Sequence, residues 1–122
     1  DVAQLVVNEN AIAGCKAEHL ALGCLAERED YILWGHGPTA RRLRKALARR
    51  RRHPSHIVEV HPRRIGQRIG GVRVISADEL AELPRPRPPL VTAVSGATPR
   101  SEIRAELHEL GYREELDFVC AA

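Results

Sequence analysis

Gly35, Gly37 and Ala40 are spaced as G-x-G-x-x-A where an apolar run, Tyr31-Ile32-Leu33-Trp34, meets a helix-forming one. In a strand-turn-helix of this kind the first glycine makes a tight turn and the second lets a phosphate approach the backbone. The small third residue lets helix and strand pack closely. The helix start then offers unpaired N–H groups and the positive end of its dipole to an anion. Glu59 follows Gly35 by 59 − 35 = 24 positions, near the roughly 20-residue offset at which an acid at the end of the next strand reaches a ribose hydroxyl. His36 and Thr39 fall inside the turn. A second turn, Ser95-Gly96-Ala97-Thr98-Pro99, repeats the logic downstream. Gly35, His36, Gly37, Thr39, Glu59, Ser95, Gly96 and Thr98 are therefore the candidate ligand-binding residues, with no catalytic or metal-binding residue among them.

Each assignment has a plainer counterpart. Many α/β proteins use such a turn for packing alone, and a strand-end acid is often a solvated loop residue. Pro38 removes one N–H from the helix start, and His36 puts a bulky side chain where bare backbone is usual. These departures point to a weak anion contact in place of a tight pyrophosphate clamp. His36 has the pKa range of a general acid or base, but no nucleophile accompanies it. Ser95 lacks the G-x-S-x-G elbow. His53, His56 and His61 are close in sequence, yet Pro54 and Pro62 interrupt them and no carboxylate or cysteine completes a metal set. Arg63 and Arg64 follow Glu59 and could meet phosphate oxygens, a solvated loop being the plainer reading, and Trp34 reads as core more than as a stacking platform.

Composition narrows the function classes. Hydrophobic residues at 43% and charged residues at 29% suit an ordinary globular domain, while aromatics at 3% leave little for base stacking. The 122 residues fit one domain. The formal charge of +3 is unevenly placed: residues 41–52 are dominated by arginine and residues 102–117 are mostly acidic. The arginine run reads as the solvated side of a helix, its last members complementing the dipole, with no nucleic-acid motif around it. No stretch approaches the roughly 18 apolar residues of a membrane span, and the amino end lacks a signal-peptide pattern. A cytoplasmic location is expected. Cys15, Cys24 and Cys120 fit neither a redox pair nor a zinc framework and read as reduced packing residues. A chain that begins at Asp1 and has 0 Met reads as a piece of a longer protein.

The elements that must position these residues follow from periodicity. Residues 11–27 are rich in helix formers, with Ile12, Cys15, His19 and Leu22 at helical spacing, and predict a leading helix beside the main sheet. Residues 31–34 predict the first strand, and Pro38 opens a helix with the stripe Ala40, Leu43, Ala46 and Leu47. His53-Pro54-Ser55 breaks that helix, residues 57–60 predict the second strand, and residues 72–75 an edge strand. Ser76-Ala77-Asp78-Glu79 is a capping box for a short helix that ends by Leu83, before a proline-rich linker. Residues 90–94 predict a buried strand. Thr98 caps a helix begun by Pro99, with the stripe Ile103, Leu107 and Leu110 and an end at Gly111, and residues 116–120 predict the last strand. Strands alternating with helices imply an α/β, Rossmann-like three-layer domain with a mostly parallel sheet and a leading N-terminal helix. Ligands would then bind outside the carboxyl ends of the strands.

Taken together, I-L-W-G-H-G-P-T-A-R-R-L, V-E-V-H-P-R-R-I-G-Q-R-I-G-G-V-R-V-I, V-T-A-V-S-G and E-L-D-F-V-C-A give residues 31–121 a family pattern. The pattern resembles the Rossmann-like domain at the carboxyl end of certain bacterial family-2 glycosyltransferases. It is more distantly similar to the amino-terminal nucleotide-sugar-binding domain of sugar acyltransferases. The resemblance implies that residues 1–30 lead in from an upstream catalytic transferase domain and that residues 31–122 are a nucleotide-binding-type domain. It also implies that glycosyl transfer from a nucleotide-sugar is carried out by that upstream domain. The expected role of this chain is accessory: weak binding of a nucleotide or nucleotide-sugar, or docking of the catalytic domain. The alternative is the NAD-type dinucleotide-binding domain of an oxidoreductase, and a third reading is a structural module that forms a homo-oligomer. No nucleic-acid partner is expected.

Overall fold

The computed structural model describes residues 2–59, 61, 63–94 and 97–121. Its elements are α1 (Val2–Leu22), β1 (Asp30–Trp34), α2 (Pro38–Ala48), β2 (His53–Val58), β3 (Arg68–Ile69), β4 (Val72–Ile75), α3 (Ala77–Glu82), β5 (Leu90–Thr92), α4 (Ala97–Glu109) and β6 (Phe118–Cys120). They form an α/β protein around one six-stranded sheet of order β3-β4-β2-β1-β5-β6. Every neighbouring pair is parallel except β3 with β4. The order reverses at β1: the chain leaves it toward β2 and β4, then returns to its other side with β5 and β6.

The strands read as continuous apolar runs because both faces of the sheet are covered. Tyr31, Leu33, Ile57, Val74 and Val91 join a core with α1 and α2, centred on Ala13, Ala17, Leu20, Leu43 and Leu47. The alternate residues Ile32, Trp34, Val58, Ile75 and Leu90 join a second core with Leu80 of α3 and Ile103 and Leu107 of α4. The α2 stripe is buried at all four expected positions. The capping box forms as expected, Glu79 N–H donating to Ser76 Oγ at 3.1 Å and Ser76 N–H to Glu79 Oε1 at 3.4 Å.

Several expectations need correction. Helix α1 begins earlier and ends at Leu22, and its buried stripe is Ala13, Ala17 and Leu20, whereas Ile12 and Leu22 are 54% and 77% exposed and Cys15 is exposed. Small residues let the α1 and α2 backbones approach, so the bulkier alternative stripe faces out. Strand β2 starts at His53, with Pro54 buried inside it. The pairing with β1 slips at this point, Tyr31 facing Pro54 and Ile32 facing His56. A bulge tolerates the missing proline N–H, and Ser55 Oγ donates to the Tyr31 carbonyl at 3.4 Å. Strand β4 lies inside the sheet, the edge being the short antiparallel β3. Helix α4 starts at Ala97, which puts Thr98 and Pro99 in its first turn and not ahead of it. The last strand is confined to Phe118–Cys120, leaving Leu116 exposed. Val60, Pro62, Ser95 and Gly96 lie outside the described residues.

Candidate functional site

The loops after β1 and β5 diverge at the carboxyl ends of the strands, where the order reverses and a crevice must open. A cleft of about 560 Å³ lies there. Its walls are the turn from Trp34 to Thr39, then Glu59, His61 and Arg64 beyond β2. Opposite stand Ala93 and Val94 with Pro99, Glu102, Ile103 and Glu106 of α4.

The two glycines of the turn are required for different reasons. Gly35 has φ +98°, and a Cβ there would lie 2.8 Å from Val94 Cγ2. Its N–H continues the ladder to the Val58 carbonyl at 3.0 Å. Gly35 therefore belongs to the fold. Gly37, the N-cap of α2, has an ordinary extended backbone (φ −81°, ψ −171°), and nothing lies within 4 Å of a Cβ built on it. Neither conformation nor packing demands glycine at this position, and the free space beside it is the cleft. Ala40 is fully buried under the sheet. The N–H groups of Thr39 and Ala40 lie in the first turn, whose donors have no partner along the helix.

His36 is only 8% exposed. Its Nε2 sits 3.4 Å from Arg44 Nη1, and a guanidinium can only donate. Nε2 is therefore the acceptor, and the neutral ring carries its proton on Nδ1. Burial pushes the imidazole pKa below its ordinary value, and Arg44, Arg41 and Arg64 push it the same way, against Glu59. His36 is a neutral imidazole at neutral pH.

Arg44 corrects the reading of the arginine run as merely solvated. Its guanidinium also donates to the carbonyls of Ile69 (3.1 Å) and Gly70 (3.2 Å), tying α2 to the β3–β4 hairpin. Arg52 donates to the carbonyls of Leu25 (3.1 Å) and Ala26 (3.3 Å). Arg42 pairs with Glu9 at 2.8 Å. Arg42, Arg44 and Arg52 thus tie α2 to α1, to the turn after it and to the sheet edge, while Arg41, Lys45, Arg49, Arg50 and Arg51 are exposed, as expected of a solvated face.

Glu59 follows β2 directly, its N–H bonded to the Ile75 carbonyl at 3.0 Å. Its side chain is 15% exposed and already engaged: Oε2 lies 3.6 Å from Arg64 Nη1, and Oε1 accepts from the His61 N–H at 3.4 Å. A ligand hydroxyl must share the carboxylate with Arg64. Arg64 thus lines the cleft, although its sequence setting reads as loop.

Of the residues expected at the site, the structure brings together Gly35, His36, Gly37, Thr39 and Glu59. Thr98 lies at the start of α4, next to Pro99, while Ser95 and Gly96 fall outside the described residues. The sequence reading missed Glu102 and Glu106. Pro99, Glu102, Ile103 and Glu106 follow the i, i+3, i+4, i+7 spacing of one helix face, which adjoins and shares Ile103 with the apolar stripe of Ile103, Leu107 and Leu110. Among the described residues no group of three or more His, Cys, Asp or Glu side chains is placed to hold a metal ion, and Cys15, Cys24 and Cys120 are free thiols. No helix among them is long and apolar enough to cross a membrane. No protein-family model matches the chain, and comparison with curated proteins gives no match either.

Proposed function

We propose that this chain is a Rossmann-like accessory domain of a bacterial glycosyltransferase and that its cleft binds a nucleotide or nucleotide-sugar weakly. Transfer itself would belong to a catalytic domain upstream. The observation that carries the binding half is Gly37, a glycine that the protein's own backbone and packing do not need, at the mouth of a crevice where the strand order reverses. The order of the parallel strands, third-second-first-fourth-fifth, is that of a dinucleotide-type sheet.

The charge of the walls suggests how such a ligand lies. Glu59, Glu102 and Glu106 can accept hydrogen bonds from ribose or hexose hydroxyls but repel phosphate. The anionic part belongs against the first turn of α2 and Arg64. Pro38 leaves that turn one donor short, so affinity is modest.

Amide shifts of the 122-residue chain, followed during titration with uridine and guanosine diphosphate sugars, test the reading. Saturable shifts centred on residues 35–40 and at Glu59 are expected. Their absence from the 35–40 and 95–98 loops would overturn the binding half.

A further inference from the structure

Two departures of the glycine turn from its pattern, His36 and Pro38, stand on either side of Gly37. Pro38 opens α2 without an N–H, so the helix start lacks one of the backbone donors it would offer an anion. His36 is only 8% exposed, and it lines the cleft beside Gly37, Pro38 and Thr39.

The two ring nitrogens of His36 point away from each other and meet different surroundings. Nε2 accepts from Arg44 Nη1 at 3.4 Å. Arg44 lines the groove along the outside of α2 and not the cleft, so Nε2 is turned toward that groove. The guanidinium is itself anchored by the Ile69 and Gly70 carbonyls at 3.1 and 3.2 Å. A ring turned over would present it with a C–H in place of an acceptor, so one ring orientation is favoured.

Nδ1 therefore carries the proton. It has no acceptor among the described residues. Among them, the side-chain nitrogens and oxygens both unpartnered and sealed from solvent are the Tyr31 and Tyr112 hydroxyls alone. Nδ1 is thus unpartnered but open, a polar N–H on a buried side chain that a molecule in the cleft can reach. An unmet donor in such a setting costs stability unless something binds it. The charges around the ring are Arg44 and Arg41 of α2 and, beyond β2, Arg64 and Glu59. Burial and the three arginines outweigh Glu59 and keep the imidazole neutral.

We propose that His36 Nδ1–H replaces the donor lost at Pro38, hydrogen-bonding the same ligand phosphate that the first turn of α2 receives, with Arg44 as the positioning residue that fixes the tautomer. The proposal rests on the nucleotide reading of the cleft. A phosphoryl oxygen there accepts from Nδ1 and from the free N–H groups of Thr39 and Ala40, the count that a helix start without proline would offer. The two departures are then one substitution, a ring donor for a backbone donor.

The test follows the His36 ring nitrogens of the 122-residue chain by long-range proton–nitrogen NMR at neutral pH. Uridine diphosphate glucose and inorganic pyrophosphate are the two probes. The free chain should show a protonated Nδ1 and a bare Nε2, and Arg44→Met should give a mixture of tautomers. Either probe at saturation should shift Nδ1–H and slow its exchange with water. These ring measurements decide the matter even where a His36 variant fails to fold. His36→Ala should weaken both probes about tenfold. Pro38→Ala, which restores the backbone N–H, should regain most of that loss in the His36→Ala chain and add less than about threefold to the parent. A merely structural His36 gives no such rescue, because Pro38→Ala returns none of its packing. Three results would each overturn this donor and leave the nucleotide reading standing: amide shifts at residues 35–40 with an unmoved Nδ1, a proton on Nε2 in the parent, or a double variant that binds no better than His36→Ala. Amide shifts absent with both probes would overturn the two together.

Discussion

Replacing the two glycines of the β1–α2 turn by alanine, one at a time, separates what the fold requires from what a ligand requires. At Gly35 the backbone is left-handed, with φ +98°. Holding a side chain there costs about 1–3 kcal/mol. The new Cβ also meets Val94 Cγ2 at 2.8 Å, and overpacking of this kind costs about 1–3 kcal/mol more. The lost freedom of the unfolded chain returns about 0.4–1 kcal/mol, so Gly35→Ala should destabilise by about 3 kcal/mol, or about 12 °C in Tm for a domain of this size. At Gly37 the backbone is permissive and the space beside it open. The same entropic gain of about 0.4–1 kcal/mol is offset by alanine's weaker N-capping, roughly 0.5–1 kcal/mol, leaving stability within about 0.5 kcal/mol of the parent. Its methyl occupies the cleft, so affinity for a nucleotide diphosphate sugar should fall about tenfold if phosphate approaches this backbone. Urea midpoints and amide-shift titrations on both variants give all four numbers. A Gly37→Ala chain as unstable as Gly35→Ala, or one that binds like the parent, would refute the division of labour.

Two further outcomes follow from the same contacts. The pKa of His36 is depressed below 6.5 by burial and by Arg44, so the folded chain binds fewer protons there than the unfolded chain. Its contribution to stability is full above about 6.5 and is lost as pH falls through that value toward the lower folded pKa. His36→Gln should flatten the dependence of the urea midpoint between about pH 7.5 and 5.5, and Arg44→Met should bring the His36 ring shift, followed by NMR, closer to ordinary titration. Ser76→Ala removes the acceptor of the Glu79 N–H and should cost about 1 kcal/mol by urea unfolding; an unchanged midpoint would mean that α3 owes its start to packing of Leu80 alone.

Legibility in the sequence followed the range of the interaction. The α2 stripe and the Ser76 capping box depend on residues within one or two turns of each other, and both form where the pattern puts them. The α1 stripe depended on what α2 presents to it, and Ala13 and Ala17 won over Ile12 and Leu22 because a close helix crossing favours small residues over large ones. Pro54 looked like a breaker because a proline cannot feed a regular ladder. Only the partner strand reveals the bulge that accommodates it. Arg44 was unreadable for the same reason: its acceptors are the carbonyls of Ile69 and Gly70, 25 and 26 residues away.

The same division runs through the cleft and fixes what each part can decide. The glycine turn is local, so it is legible, and by itself it specifies only that the chain bends and that one wall is bare backbone. The opposite wall arrives from α4, and the carboxylates of Glu102 and Glu106 give it a charge that the turn does not foretell. A site made from the turn alone would favour phosphate. With three carboxylates facing Arg64 and a neutral His36, phosphate is welcome only along the α2 side and hydroxyls elsewhere. Ligand choice therefore depends on the distant wall, and replacing Glu102 and Glu106 by glutamine changes which ligands bind without disturbing the turn that fixes where they sit.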